Sequence, residues 1–222
     1  MTAATIRRSD LEIHTDVVAE LDWDARLDPG EVGVEVDDGV VTLRGTIATY
    51  PKLHAAANLA ARVPGVRAVV NELAVREAEW YDDLSIASGA RLALELDPDV
   101  PNGRLECFVR DGRITLRGSV DLAYQRLAAE AAVSRINGMR GLDLEIEVRG
   151  HSRGDAAIHD DIRDALRRRL PWAKLVRVAV VDGTVTLSGR VPSLIDRLAA
   201  EETAWRGRGV RHVIDHLLVM GE

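Results

Sequence analysis

The segment Asp38-Gly39-Val40-Val41-Thr42-Leu43-Arg44-Gly45 decides the fold of this 222-residue chain. Asp-Gly is a turn pair that tolerates the positive φ angles of a tight hairpin. Apolar residues alternate with polar or small ones over residues 32–36 before the turn, and again over residues 41–43 after it. Alternation at a period of two is typical of half-buried strands. The segment therefore predicts a β-hairpin with its turn at Asp38 and Gly39.

The same pattern occurs twice more. Asp111-Gly112 precedes Thr115-Leu116-Arg117-Gly118, and Asp182-Gly183 precedes Thr186-Leu187-Ser188-Gly189. In every copy the second glycine follows the first by 6 residues, a third glycine follows after 20 more, and a closing valine after 10 more. The third glycines are Gly65, Gly138 and Gly209. Three segments that share all of these spacings indicate duplication of one unit. Internal repeats of this kind define the architecture of a chain.

A helix is predicted before each hairpin. In the first copy Ile13, Val17 and Leu21 form one apolar helical stripe, and Ile158, Ile162 and Leu166 do so in the third. The second copy shows a less regular stripe of Leu84, Ala87, Leu92 and Leu96. Aspartates stand where an N-cap is expected, because their carboxylates can accept the first free N–H groups of a helix. They are Asp10, Asp82 and Asp155.

A second, alanine-rich helix is predicted after each hairpin, near residues 51–63, 124–136 and 194–206. The third glycine of each copy fits the C-terminal stop of this helix, where a left-handed residue is favoured. An apolar strand then closes the copy, as in residues 213–219. All twelve repeated residues are interpreted as structural turn and strand-end positions rather than as an active-site signature. They are Asp38, Gly39, Gly45, Gly65, Asp111, Gly112, Gly118, Gly138, Asp182, Gly183, Gly189 and Gly209.

The predicted fold class is α+β, with three tandem α-β-β-α-β modules. Each module is a small three-stranded mixed sheet covered on one face by two helices, with a right-handed crossover before the last strand. The expected boundaries are residues 8–75 for module 1, 82–148 for module 2 and 155–220 for module 3. The uncovered sheet face is a candidate for contacts between copies, because so small a core is marginal alone.

Composition excludes several classes of protein. The chain is 46% hydrophobic and 29% charged, with a formal net charge of −7, which argues against general nucleic-acid binding. The first residues have no apolar segment typical of a signal peptide, and no run approaches the length of a membrane span. A full-length chain of this sequence is expected to be cytoplasmic, with reversible peripheral membrane association left open.

Positive charge is concentrated in module 3. Residues 1–75 hold 7 Lys+Arg against 12 Asp+Glu, whereas residues 151–222 hold 12 against 10. Two interpretations of these cations remain open: compensation of helix C-terminal dipoles together with solubility, or a patch that binds anions or anionic lipid. The candidate lipid- or anion-binding residues are Arg167, Arg168, Arg169, Trp172, Lys174, Arg177, Arg206, Arg208 and Arg211.

Other chemistry-bearing residues show no converging pattern. Trp23 and Trp172 follow the first helix of their copies, and each is expected either to pack over the core or to anchor at an interface. Cys107 lies in an alternating apolar run and is expected to be a small buried hydrophobe. Neither the six histidines nor the glycines suggest a metal, a phosphate loop or a catalytic triad. No cofactor, no metal and no catalytic residue are predicted.

The helix, the Asp-Gly hairpin, the Thr-Leu-x-Gly strand, the alanine-rich helix and the Gly-Val step together resemble the BON domain family, three times over. Module 2 departs in places, with Met139 for the valine and Leu144 where Asn71 stands in module 1. The resemblance implies a non-enzymatic module that contacts phospholipid surfaces or envelope components and is linked to osmotic or general stress.

Two functions follow as hypotheses. The first is a stress-related binding protein that associates reversibly with anionic phospholipid through module 3. The second is a protein–protein scaffold that holds partner proteins, or self-assembles into a homo-oligomer, through exposed sheet faces or edges. The sequence leaves open a role in binding a small ligand or an ion, and it does not predict an enzyme.

Overall fold

The computed structural model describes residues 8–76, 81–150 and 153–220. Each module runs helix, hairpin, helix, strand, as predicted, so the α+β fold class is confirmed. The elements of module 1 are α1 (Asp10–Trp23), β1 (Val32–Asp37), β2 (Val40–Ile47), α2 (Tyr50–Arg62) and β3 (Ala68–Val75). Those of module 2 are α3 (Asp83–Leu96), β4 (Leu105–Arg110), β5 (Arg113–Val120), α4 (Ala123–Val133) and β6 (Gly141–Val148). Those of module 3 are α5 (Asp155–Arg169), β7 (Val176–Val181), β8 (Thr184–Val191), α6 (Leu194–Trp205) and β9 (His212–Val219).

Each module has its own three-stranded mixed sheet, in the orders β1-β2-β3, β4-β5-β6 and β7-β8-β9. In the first two sheets the central strand pairs antiparallel with its hairpin partner and parallel with the closing strand. The antiparallel pair is local in sequence, whereas the parallel pair needs a helical crossover between its strands. The edge strands of every sheet are therefore the first and the third.

The core of module 1 lies between α1, α2 and one face of the sheet. Ile13, Val17 and Leu21 are buried on α1, in agreement with the predicted stripe, and Leu43 and Ile47 meet them from β2. Alanines bury one face of α2, because small side chains let the helix lie close to the sheet. Full burial of an Ile, Val or Leu side chain contributes roughly 1.5–3 kcal/mol to folding.

The predicted stripe of α3 is wrong. The residues that bury against the module 2 sheet are Ile86, Ala90 and Leu94. Leu84 and Leu96 are instead 75% and 73% exposed. The helix is apolar on two opposite sides, and a four-residue spacing describes both stripes equally well. Packing against β4 and β5 selects the side that local periodicity could not.

The described residues form two compact units, and each contains a contact between modules that the sequence did not reveal. The first unit comprises residues 8–76, 190–199 and 217–220, and in it Leu194 joins the buried core of module 1 while Val219 packs against that core. The second unit comprises residues 81–150, 153–189 and 200–216. There the guanidinium of Arg126 lies 5.4 Å from the centre of the Trp205 ring, a cation–π distance.

Candidate anionic-surface site

The repeated Asp-Gly pairs form two-residue turns in which both residues have positive φ. Asp38, Asp111 and Asp182 have φ angles of 49°, 51° and 49°, the left-handed conformation that such a hairpin requires. Aspartate is among the few non-glycine residues that enter this region often. The turn residues thus bend the backbone.

A second aspartate in each module holds the turn in place. The carboxylate of Asp10 accepts hydrogen bonds from the backbone N–H groups of Asp38 and Gly39, at 3.0 and 2.9 Å. Asp83 binds the turn of module 2 at 2.9 and 2.8 Å, and Asp155 binds that of module 3 at 2.9 and 3.1 Å. We call these three residues the clamp aspartates. Each satisfies two N–H groups that the hairpin ladder leaves unpaired.

Two of the three predicted N-caps, Asp10 and Asp155, are wrong. The N-cap of α1 is Ser9, which forms a capping box with Glu12, and the N-cap of α5 is Gly154. Asp10 and Asp155 are instead the first residues of their helices. Asp82 caps α3 as predicted, by accepting from the Ser85 N–H at 2.8 Å. A carboxylate at the first helical position reaches the hairpin of the same module, a contact that the local capping rule does not include.

Three glycines that were grouped with the turns lie inside strands instead. Gly45, Gly118 and Gly189 belong to β2, β5 and β8 and pair with the first residue of the neighbouring strand. A Cβ atom on any of them would lie 2.1 Å from the carbonyl oxygen of Glu31, Arg104 or Leu175, respectively. These glycines allow two backbones to approach closely. The third glycines, Gly65, Gly138 and Gly209, follow the second helix with φ angles of 90°, 82° and 89°.

One of the candidate anion-binding residues, Arg211, belongs to this repeated turn. Its counterparts are Arg67 and Arg140, and all three donate a backbone N–H to the carbonyl of the turn glycine. The side chain of Arg211 lies against Gly183, as that of Arg140 lies against Gly112. Arg211 therefore shares a turn-supporting contact with Arg67 and Arg140, and it lies outside the cleft that other candidates line.

Four of the remaining candidates do come together. Arg168 and Arg169, on the last turn of α5, and Arg206 and Arg208, after α6, line one cleft of about 310 Å³. Thr203 and two apolar residues of α5, Ile162 and Ala165, also line it. We call Arg168, Arg169, Arg206 and Arg208 the basic cleft. The arrangement arises because the C-terminal ends of the two helices lie side by side.

Ion pairs within the described residues leave much of this charge uncompensated. The carboxylates that border the cleft are engaged elsewhere: Asp161 pairs with Arg153 at 2.6 Å, and Asp164 pairs with Arg163 at 3.4 Å. Arg206 pairs with Glu202 at 2.6 Å. No ion pair reaches Arg168, Arg169 or Arg208 from residues 8–76, 81–150 or 153–220. Two helix C-termini contribute about −0.5 charge each, so the cleft keeps a positive surplus.

The other predicted members of the site lie outside the cleft lining. Arg167 is exposed on α5, Lys174 lies in the short turn before β7, and Arg177 projects from the sheet face that the helices do not cover. Trp172 is half-buried and precedes that short turn. None of these four residues is part of the cleft lining.

The prediction that both tryptophans follow the first helix of their copies is wrong for Trp23. Trp23 is the last residue of α1 and is 87% exposed, so it does not pack over the core. Trp172 lies beyond the end of α5, after Pro171. Counted from the clamp aspartates, the residue of α5 that matches Trp23 is Arg168. Module 3 thus carries a cation at the helical position where module 1 exposes an indole.

The surroundings of Cys107 suppress the reactivity of its thiol. Burial raises the pKa of the Cys107 thiol, which is half-buried on the inner side of β4. A raised pKa keeps the sulfur protonated, and the thiolate is the nucleophilic form. No group of three potential metal ligands occurs in the described part of the chain. Its helices are also too short and too polar to cross a bilayer.

Thiol reactivity checks this assignment of Cys107. The native chain should react with an aromatic disulfide reagent at pH 7.5 at least ~10-fold more slowly than the chain unfolded in urea, because the thiolate is both scarce and shielded. Absorbance of the released thiolate follows both reactions. Equal rates for native and unfolded protein would show an accessible, reactive thiol instead.

Comparisons with known proteins agree with this architecture. The model of the BON domain matches three segments, residues 9–77, 82–150 and 159–221. The osmotically inducible protein Y of Escherichia coli (strain K12) is 26% identical over 125 residues, which is 54% of this chain and 62% of that protein. The match thus spans less than two thirds of the relative.

Solved structures give a weaker likeness. CdsD, a structural protein of the type III secretion system of Chlamydia trachomatis, is 13% identical with a TM-score of 0.27, over 94% of this chain and 92% of that chain. The periplasmic domain of PrgH is 10% identical with a TM-score of 0.23, over 85% and 95%. The family matches cover most of the chain in three successive segments, and each segment corresponds to one helix–hairpin–helix–strand module, the third beginning within α5. The chain therefore belongs to the BON domain family.

Proposed function

We propose that this chain is a non-catalytic, stress-linked binding protein that attaches reversibly to anionic phospholipid through module 3. The observation that carries the proposal is the basic cleft, in which three arginines without ion-pair partners in the described residues face one opening. The relation to an osmotically inducible protein supports the link to stress.

The chemistry of the cleft suits phosphate. A guanidinium presents several N–H donors in a planar fork and binds phosphate oxygens in a bidentate manner. Each cation near an anionic membrane surface contributes on the order of 1 kcal/mol. Three such arginines give a contact that is strong at low salt. At physiological salt the contact is weaker, because exposed charges separated by more than a Debye length of about 8 Å are largely screened. The proposal thus describes a peripheral, salt-sensitive association.

Module 3 is the module whose charge fits this role. Residues 1–75 hold 12 acidic against 7 basic residues, and residues 76–150 hold 14 against 10. The position of Arg168 is occupied by Trp23 in module 1 and by Leu96 in module 2. Counted in the same way, Arg169 is replaced by Asp24 and Asp97. Arg208, counted from the third glycines, is replaced by Pro64 and Asn137, whereas Arg206 has Arg62 and Arg135 as counterparts. Modules 1 and 2 therefore lack counterparts of the three cleft cations that have no ion-pair partner in the described residues.

Vesicle flotation tests the proposal. The full chain should float at low salt with vesicles that contain phosphatidylglycerol, stay behind with pure phosphatidylcholine, and be released by high salt. The variant Arg168→Glu/Arg169→Glu/Arg208→Glu should lose about 100-fold in partition coefficient, because three favourable cations become anions.

A matched control separates the cleft from net charge. Arg62→Glu/Arg110→Glu/Arg135→Glu changes the total charge equally at exposed positions of modules 1 and 2. This control should float nearly as well as the unmodified chain. If it loses as much binding as the cleft variant, or if the unmodified chain ignores anionic vesicles, the lipid role of the cleft is wrong.

A further inference from the structure

The first strand of module 3, β7, is an edge strand of unusual composition. Its sequence, Val-Arg-Val-Ala-Val-Val, has no glycine, proline or acidic residue. The corresponding strand β1 contains Gly33, Glu35 and Asp37, and β4 contains Glu106 and Arg110. Natural sheets protect their edges with charges and strand-weakening residues against pairing with other chains. In β7 a single charge, Arg177, remains.

The free backbone groups of β7 can be assigned from the hairpin register. Val181 pairs with Thr184 across the two-residue turn, so its backbone N–H and C=O groups face β8. The backbone groups of Ala179 and Arg177, which follow at every second residue, face β8 as well. Hydrogen-bonded pairs alternate in an antiparallel ladder, so the N–H and C=O groups of Val178 and Val180 point away from β8. No backbone hydrogen bond from these two residues to another segment is present within residues 8–76, 81–150 and 153–220.

The adjoining sheet face is also uncharged where the other modules carry ion pairs. In module 1, Arg44 bridges Glu35 and Glu72 at 2.6 and 2.7 Å, and in module 2 Arg117 contacts Glu145 at 2.7 Å. Ser188 stands in place of these arginines, and Ala179 in place of Glu35. Val181, at the end of β7, is 67% exposed. At these positions the face thus lacks charges that would repel an identical strand, and Arg177 is the charge that remains on β7.

We propose that β7 pairs antiparallel with β7 of a second copy of this chain, which joins two sheets of module 3 across a two-fold axis. An antiparallel strand is complementary to itself, so the contact closes as a dimer without a second surface. This association goes beyond the lipid contact and does not require it, because β7 lies outside the lining of the basic cleft.

Charge selects the register of the pair. With Ala179 opposite Ala179 of the second copy, Val178 bonds to Val180 of the second copy, so that the free N–H and C=O groups are used. Arg177 then lies opposite Val181 of the second copy, and the two arginines are far apart. A shift that placed Arg177 opposite Ala179 of the second copy would bring the guanidinium groups of the two Arg177 residues to neighbouring diagonal positions. Like charges at such positions are unfavourable.

Sedimentation velocity of the full chain over a dilution series tests the pairing. The unmodified chain should shift from dimer to monomer on dilution, and Ala179→Lys should raise the dissociation constant at least ~10-fold by placing two ammonium groups face to face. Phe108→Lys, at the matching position of β4 in module 2, is the control and should dimerise normally. A chain that is monomeric at every concentration would overturn the proposal, as would an unchanged Ala179→Lys variant.

Disulfide trapping tests the register without disturbing the charge. In a Cys107→Ser background, Ala179→Cys should form a covalent dimer on mild oxidation, since opposite residues of a non-hydrogen-bonded pair lie about 4.5 Å apart between Cα atoms. Phe108→Cys in the same background should crosslink at least ~10-fold less. Equal crosslinking of the two variants would indicate random collision and would contradict the pairing.

Discussion

Gly45→Ala should destabilise module 1 by at least about 3 kcal/mol, the scale of a severe backbone or packing defect. The new methyl group would lie 2.1 Å from the carbonyl oxygen of Glu31, at a φ of 135° that side chains rarely adopt. Relief requires β1 and β2 to separate, which breaks the hairpin at its open end. Urea unfolding followed by the amide NMR signals of module 1 measures the loss.

Gly30→Ala is the control for this substitution. A Cβ atom there meets the Asp28 carboxylate at an ordinary 3.6 Å. Its unfolding midpoint should stay within about 0.5 kcal/mol of the unmodified chain, as for most surface changes. Comparable losses for the two variants would mean that the close approach at Gly45 is not what the strand pairing requires.

Asp10→Asn should destabilise module 1 by about 2 kcal/mol, because hydrogen bonds to a charged group contribute roughly 1.5–3 kcal/mol. The Asp38 N–H binds one carboxylate oxygen of Asp10 and the Gly39 N–H binds the other, and an amide replaces one of these acceptors with an NH2 donor, so this arrangement is lost. The substitution also removes a negative charge from the first turn of α1, where it is favourable. The same urea experiment reports the change.

The matched variant is Asp22→Asn, which removes an equal charge from the last turn of α1, where a negative charge is less favourable. It should leave stability unchanged or slightly higher. Equal destabilisation by Asp10→Asn and Asp22→Asn would assign the effect to net charge rather than to the clamp.

Local chemistry explains why much of the fold could be predicted. The Asp-Gly turns, the alternating strands and the stripe of Ile13, Val17 and Leu21 depend on neighbours within a few residues. Triplication strengthened each of these signals, since a turn that recurs at one spacing is unlikely to be accidental.

The errors arose where distant residues decide the structure. Asp10 satisfies the N-cap rule by type, yet its carboxylate binds a turn 28 residues away, and Ser9 takes the cap. On α3, Leu84 and Ile86 lie on opposite sides of the helix, and only the sheet determines which is buried. Neither choice is encoded in a local spacing.

The distribution of charge predicted which module carries the candidate site, but not which of its residues lie together. Counting cations identified module 3, yet the side-by-side helix ends bring together Arg168, Arg169, Arg206 and Arg208 and leave Arg167 and Arg177 apart. Arg211 was not separable from them by sequence clustering, although its counterparts Arg67 and Arg140 gave a signal for a structural role. Comparing the copies with one another would have found it.

Amide hydrogen exchange of the six turn residues tests most directly whether the repeated aspartates and glycines shape the backbone. In the native chain the amides of Asp38, Gly39, Asp111, Gly112, Asp182 and Gly183 should exchange at least ~10-fold more slowly than in an unstructured peptide, because each donates to a clamp carboxylate. Asp83→Ala should accelerate only Asp111 and Gly112. Free exchange of all six amides in the native chain, or an Asp83→Ala variant with unchanged rates, would contradict the account.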